Sequence, residues 1–88
     1  MSISKARKNE RELVAVEVNF SEDMICLVLD DGREIRTPLA FYPRLAKANQ
    51  KQLNSFRLIG GGTGIHWKDL DEDLSVESIV LGRRALNR

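Results

Sequence analysis

The chain has 88 residues, of which 42% are hydrophobic and 31% are charged, and its formal net charge is +1. This length supports one small domain, and the composition is too apolar for a fully disordered chain. A net charge this close to zero provides no global basic field of the kind that drives sequence-independent nucleic-acid binding. We therefore expect no direct binding to nucleic acid.

Cysteine usage and hydropathy bear on the location of the protein. The single Cys26 cannot form an internal disulfide bond, and it lies in the apolar run from Met24 to Leu29, where a buried thiol is expected. No apolar run approaches the roughly 20 residues that span a bilayer, and no stretch at the N-terminus has the pattern of a signal peptide. These features predict a cytoplasmic protein without membrane association.

The first half of the chain has the periodicity of a three-stranded antiparallel meander. Residues 1–12 carry charge without apolar periodicity, which predicts a disordered charged tail. The alternating pattern of residues 13–20 predicts a half-buried strand, and the continuous apolar run of residues 24–30 predicts a central strand covered on both faces or lying against a dimer partner. Asp31-Gly32 supplies a hairpin turn, and residues 33–37 return as a polar edge strand.

The second half has the signals of short helices and short strands. Pro43 suits the opening turn of a helix that starts near Phe41, and Asn49 is placed to end that helix and cap a shorter one. Residues 56–59 and 65–67 predict two strands around a glycine-rich loop.

The last predicted element is a helix capped by Ser75, with Gly82 at its end. The predicted fold class is therefore α+β, as a two-layer sandwich in which an N-terminal three-stranded antiparallel meander is followed by a helix, short strands and a C-terminal helix. Residues 13–82 form this single domain, and residues 83–88 form a basic C-terminal tail.

The glycine-rich loop is a candidate ligand loop, and its glycines are Gly60, Gly61, Gly62 and Gly64. Glycine lets backbone N–H groups approach an anion closely. A dinucleotide-binding fingerprint would need glycine at Ile65, however, and a Walker loop would need Gly-Lys followed by serine or threonine. A structural turn is the favoured interpretation, and anion binding is the alternative.

An acidic block follows Trp67. Asp69, Asp71 and Asp73 alternate like the opening of a calcium-binding loop, but Leu74 stands in place of the turn glycine and Val80 in place of the bidentate glutamate. We predict no metal site here. The acids are expected to stabilise the N-terminus of the last helix.

His66 is the single histidine of the chain, so a zinc cluster cannot be built around it within one chain. A general acid or base role, with Asp69 or Asp71 orienting the ring, lacks an accompanying nucleophile. We therefore predict no catalytic residue, no cofactor and no enzymatic activity. Trp67 is expected to be a core or interface anchor.

A candidate interaction surface combines two parts of the sequence. The segment Tyr42-Pro43-Arg44 offers an aromatic ring and a guanidinium group, which are enriched at interface hot spots. The region that follows the glycine-rich loop adds charge. The full predicted surface consists of Tyr42, Pro43, Arg44, His66, Trp67, Asp69, Asp71 and Asp73.

Two longer stretches are more specific than these motifs. One is Asp31-Gly32-Arg33 leading to residues 38–45 (PLAFYPRL), and the other is residues 64–67 (GIHW) with residues 70–76 (LDEDLSV). Together they resemble the bacterial domain of unknown function family 2442 over residues 13–82. The resemblance implies a two-layer α/β domain and a gene arrangement like that of toxin-antitoxin pairs. It implies no activity and no catalytic residues.

The leading functional hypothesis is a non-enzymatic interaction module that binds a protein partner or associates with itself. Such a module would be the antitoxin-like or regulatory member of a two-protein system. One alternative is a small-molecule or anion-binding domain that uses the glycine-rich loop. The other is an accessory domain of a DNA-associated regulator that acts through a partner.

Overall fold

A computed structural model describes residues 12–85. These residues form two three-stranded antiparallel sheets and three short helices. The strands are β1 (Ala15–Ser21), β2 (Met24–Leu29), β3 (Glu34–Pro38), β4 (Phe56–Ile59), β5 (Gly64–Trp67) and β6 (Glu72–Ser75). The helices are α1 (Pro43–Ala46), α2 (Gln50–Leu53) and α3 (Val76–Val80), and 3-10 turns occupy Leu39–Phe41 and Gly60–Gly62. The α+β class and the N-terminal meander are confirmed.

The first sheet has the order β1-β2-β3, so the apolar run forms the central strand as predicted. Leu27 pairs with Val18 on β1 and with Ile35 on β3. Because side chains alternate along a strand, this row points into the core, and Met24 and Val28 lie on the opposite face. Those two side chains are half-buried, so the second face of β2 is covered only in part.

The predicted helix near Phe41 is divided into shorter pieces. The chain makes a 3-10 turn before Pro43, which takes the first position of α1, where its missing N–H costs no hydrogen bond. Asn49 caps α2, as predicted: its Oδ1 accepts a hydrogen bond from the Gln52 backbone N–H at 2.8 Å. The Gln52 side chain accepts in return from the Asn49 backbone N–H at 2.9 Å.

The second sheet has the order β4-β5-β6, and β6 was not predicted from the sequence. β6 occupies part of the acidic block, whose acids were expected to stabilise the N-terminus of the last helix. It pairs with β5 so that Leu74 lies opposite Ile65 and Asp73 opposite His66. Ser75, the last residue of β6, caps α3, because its Oγ accepts a hydrogen bond from the Ser78 backbone N–H at 3.0 Å. The predicted cap is therefore confirmed.

One hydrophobic core joins the two sheets and the helices. Phe20 of the first sheet meets Phe56 and Trp67 of the second, with ring centroids 6.1 and 6.5 Å apart. Edge-to-face contacts of this kind are favourable beyond the area that they bury. Leu45 of α1 is fully buried in the same core.

The ends of the chain only partly enter the described structure. Residues 1–11 of the predicted N-terminal tail and residues 86–88 of the predicted C-terminal tail lie outside the described residues. The domain contacts continue past residue 82, since the Ala85 backbone N–H donates to the Phe41 carbonyl at 3.0 Å. Within residues 12–85, no helix has the length and apolar character needed to cross a membrane.

Candidate functional site

Two aromatic members of the predicted interaction surface belong to the core. Tyr42 is 1% exposed and Trp67 is 0% exposed, so neither side chain is available to a partner. The Trp67 Nε1–H donates to the Leu53 carbonyl at 3.0 Å, which satisfies its polar group inside the protein. The predicted surface is corrected accordingly: these rings hold the sheets and helices together.

The structure does bring the two parts of that predicted surface together through Arg44. Its Nη1 donates to the Asp71 carbonyl at 2.6 Å and to Glu72 Oε1 at 3.5 Å. This contact fastens α1 to the turn between β5 and β6. Burial raises the pKa of Glu72, and the Arg44 guanidinium opposes part of that rise. Glu72 was not identified from the sequence as a candidate site residue, because the burial of its side chain depends on strand β6, which was not predicted.

A polar row crosses the outer face of the second sheet. The strand register places Arg57 of β4 opposite His66 of β5, and His66 opposite Asp73 of β6. His66 Nδ1 lies 2.5 Å from Asp73 Oδ1. The carboxylate that orients the ring is therefore Asp73, and not Asp69 or Asp71, the two that were considered from the sequence in the alternative acid-base role. Arg57 was missed, since its position beside His66 follows only from the strand register.

An open groove of about 540 Å³ lies beside this row. Ser55, Arg57, His66, Lys68 and Asp69 line the groove. Within residues 12–85 the His66 Nε2 atom makes no hydrogen bond, while the Ser55 hydroxyl donates to the Lys51 carbonyl. The groove thus offers positive charge and an imidazole, and the hydrogen bonds of the described residues bring no nucleophile to the ring.

The edge strand β4 presents apolar side chains next to this groove. Leu58 is 37% exposed and Ile59 is 40% exposed. Among the described residues β4 pairs with β5 alone, so alternate backbone groups on its other edge have no strand partner there. We call Arg57, Leu58, Ile59, His66 and Lys68 the β4 surface. The strand register places Leu58 on the core-facing side of the sheet with Ile65, and Arg57, Ile59 and His66 on the outer side.

The structure explains why glycine is needed at position 62 of the glycine-rich loop. Gly62 has a φ of +101°, and a Cβ atom there would come within 2.7 Å of the Ala15 carbonyl oxygen. A side chain would therefore push the loop away from the start of β1. The loop is also tied to itself, since the Thr63 hydroxyl donates to the Gly60 carbonyl at 2.9 Å. These contacts favour the structural interpretation, and a ligand for the loop stays a prediction.

The acidic block is divided between a turn and a strand. Asp71 takes a positive φ of 51° in the turn before β6, and Asp73 lies within β6 beside His66. Asp69 and Asp71 therefore precede a strand and not the last helix, which corrects their predicted helix-stabilising role. Glu77 is the acidic residue in the first turn of α3. In the described part of the chain, no three His, Cys, Asp or Glu side chains gather closely enough to hold a metal ion.

Residues 15–85 match the model of a protein family whose description is "Protein of unknown function (DUF2442)". The chain belongs to DUF2442. The family resemblance carried by the two longer stretches is thus confirmed. No curated protein is similar to this DUF2442 chain at a significant level.

Two solved structures share the DUF2442 fold described above. A protein of unknown function from Rhodospirillum rubrum is 26% identical, with a TM-score of 0.75 over 86% of this chain and 94% of that one. An uncharacterized protein from Chromobacterium violaceum is 23% identical, with a TM-score of 0.70 over 83% of this chain and 69% of that one. The second likeness concerns the fold alone.

Proposed function

We propose that this chain is a non-enzymatic protein-interaction module, and that the β4 surface receives an extended segment of another protein. The observation that carries the proposal is the exposure of Leu58 and Ile59 on a strand with an open edge. Peptides commonly add to such edges, where main-chain hydrogen bonds supply affinity and neighbouring side chains supply specificity.

The chemistry of the surrounding groove favours an acidic and apolar partner. Arg57 and Lys68 contribute fixed positive charge, and His66 lies opposite Arg57 on the neighbouring strand. Asp69 is the acidic side chain in the groove lining, and Asp73 is engaged by His66. A segment with alternating acidic and apolar side chains would place its charges on the outer face beside Arg57 and His66, and its apolar groups on the opposite face beside Leu58.

The contacts of His66 support a binding role over a catalytic one. An imidazole oriented by a carboxylate is part of many acid-base sites, but it acts on a nucleophile or substrate within hydrogen-bond reach. Ser55 lines the same groove and donates its hydroxyl to the backbone of Lys51. The His66–Asp73 pair then serves to fix the position of the ring on the binding face.

A two-protein system, the arrangement implied by the family resemblance, would supply such a partner. In that setting the chain would be the regulatory or antitoxin-like member. Direct contact with DNA is not part of the proposal, because the net charge is +1. An effect on DNA would pass through the partner.

Selection from a library of short peptides tests this proposal. We expect the selected peptides to alternate acidic and apolar residues and to perturb the amide resonances of residues 56–59. Leu58→Asp should abolish their binding, because it places like charge against the peptide and removes an apolar contact. Val16→Asp is the matched control, since Val16 is 57% exposed on the first sheet.

Two results would contradict the proposal. One is a set of selected peptides whose affinity is the same for wild type and for Leu58→Asp. The other is a wild-type dimer that Leu58→Asp converts to monomer in sedimentation experiments, which would identify a second copy as the occupant of β4.

A further inference from the structure

The hydroxyl of Tyr42 is buried without a partner. Its oxygen is closed to solvent and forms no hydrogen bond with any atom of the described residues. Burial raises the pKa of Tyr42 to about 12, so the hydroxyl keeps its proton and remains a donor at neutral pH. A buried donor without an acceptor is uncommon in native proteins and calls for an explanation, such as a bound ligand.

Tyr42 lines a groove of about 260 Å³ that is bordered by β6 and by the segment after α3. Ser78 also lines this groove, and its Oγ accepts a hydrogen bond from the Ser75 hydroxyl at 2.8 Å. The hydrogen of the Ser78 hydroxyl is therefore free to be donated. Ser78 thus brings a free hydroxyl donor to the groove that Tyr42 also lines.

The acidic side chains that line the groove have charged partners, whereas the basic side chains have none among the described residues. Glu72 and Asp73 both line the groove, but Arg44 contacts the first carboxylate and His66 contacts the second. Arg83 and Arg84 line it as well, and neither forms an ion pair within residues 12–85. The unpaired charges of the lining are therefore the two guanidinium groups, since both carboxylates have partners.

We propose that this groove binds a carboxylate group, with the Tyr42 and Ser78 hydroxyls donating to its oxygens and Arg83 or Arg84 supplying the opposite charge. Hydroxyl and guanidinium donors together are well suited to a carboxylate. The acidic lining residues would repel a doubly charged phosphate more strongly than a singly charged carboxylate. Asp73, which lines this groove, contacts His66 of the β4 surface, but the test of the carboxylate site does not depend on a protein partner.

Residues 83–85 form one wall of the groove, and a ligand would enter the groove past this segment. Arg84 stacks on the Phe41 ring with its guanidinium carbon 4.3 Å from the ring centre, and a single backbone hydrogen bond joins Ala85 to Phe41. Gly82, with a φ of +76°, lies just before this wall. The Arg83 backbone N–H also donates to the Ser78 carbonyl at 3.0 Å, and Ala85 packs against the core. The wall must therefore be displaced for a ligand to reach the Tyr42 hydroxyl.

The chain contains one tyrosine, which makes the test direct. Protein labelled with ¹³C at the tyrosine ζ-carbon should give one resonance, and acetate should shift it saturably. Inorganic phosphate should bind more weakly than acetate, and chloride at the same ionic strength should give no saturable shift. The Ser78 amide resonance provides a second readout that survives replacement of the tyrosine.

Single substitutions distinguish specific binding of acetate in this groove from non-specific effects of anions on the protein. Tyr42→Phe and Ser78→Ala should each weaken acetate binding by about tenfold or more, because each removes a hydrogen bond to a charged group. Ser55→Ala is the control, since its hydroxyl lies in the other groove, and it should leave the affinity unchanged. The absence of saturation by acetate, tighter binding of phosphate, or full affinity in both variants would overturn the proposal.

Discussion

Replacement of Leu27 by alanine should remove most of the stability of this domain. Leu27 is fully buried on the central strand of the first sheet, between Val18 and Ile35. Truncation of a buried leucine costs about 2–5 kcal/mol, and the large values occur where the surrounding structure cannot collapse into the cavity. Hydrogen bonds on both edges of β2 restrain the backbone here, so we expect the upper half of this range. A domain of this size has only roughly 3–5 kcal/mol available.

Urea denaturation followed by Trp67 fluorescence measures this loss. Trp67 is the single tryptophan and is fully buried, so its emission reports the core directly. Leu81→Ala is the matched control, because the same atoms are removed from a side chain that is 56% exposed, and it should cost under about 1 kcal/mol. Equal losses for the two variants would refute the assignment of Leu27 to the core.

Three further predictions follow from individual side chains. Tyr42→Phe should stabilise the free protein by about 1 kcal/mol, because it removes a buried donor without a partner, and thermal unfolding would measure this. Burial raises the pKa of Glu72 in the folded state, so its contribution to stability is present below the ordinary glutamate pKa of 4.5 and is lost as the pH rises through the folded value. Glu72→Gln should therefore raise the melting temperature more at neutral pH than below pH 4.5, and an equal effect at both would contradict this. Millimolar calcium should raise the melting temperature no more than sodium at equal ionic strength, and a saturable calcium effect that is abolished by Asp→Asn changes at Asp69, Asp71 and Asp73 would refute this.

Local signals explain which parts of the fold could be predicted. The Asp31-Gly32 turn needs one glycine with positive φ, and Gly32 has a φ of +93°. The caps Asn49 and Ser75 depend on a side chain and a backbone N–H a few residues away. Interactions of this range are contained in a short stretch of sequence, and all three were assigned correctly.

Strand β6 shows what local signals do not contain. The segment Glu72–Ser75 has two acids and a single strongly apolar residue, so its composition indicates a loop. It becomes a strand because its backbone pairs with β5, and because Arg44 reaches across from α1 to the turn that precedes it. Pairing of this kind is a tertiary effect that overrides local preference.

For the candidate site, the sequence identified individual residues but not their contacts or their burial. His66 and Asp73 were identified individually, but their pairing depends on β6. Tyr42 and Trp67 were placed on the surface because aromatic residues are common both in interfaces and in cores, and the sequence carries no signal that separates the two. The open edge of β4 follows from the strand order, which the sequence does not specify.

Amide hydrogen exchange is the most direct test of the proposal that β4 receives a partner segment. Exchange would be measured with and without a peptide selected for binding. Protection should increase at alternate amides of residues 56–59, since these would pair with the added strand. The edge strand β3 (Glu34–Pro38) of the first sheet serves as the internal comparison and should be unchanged. Protection at β3 with none at β4 would contradict the proposed function.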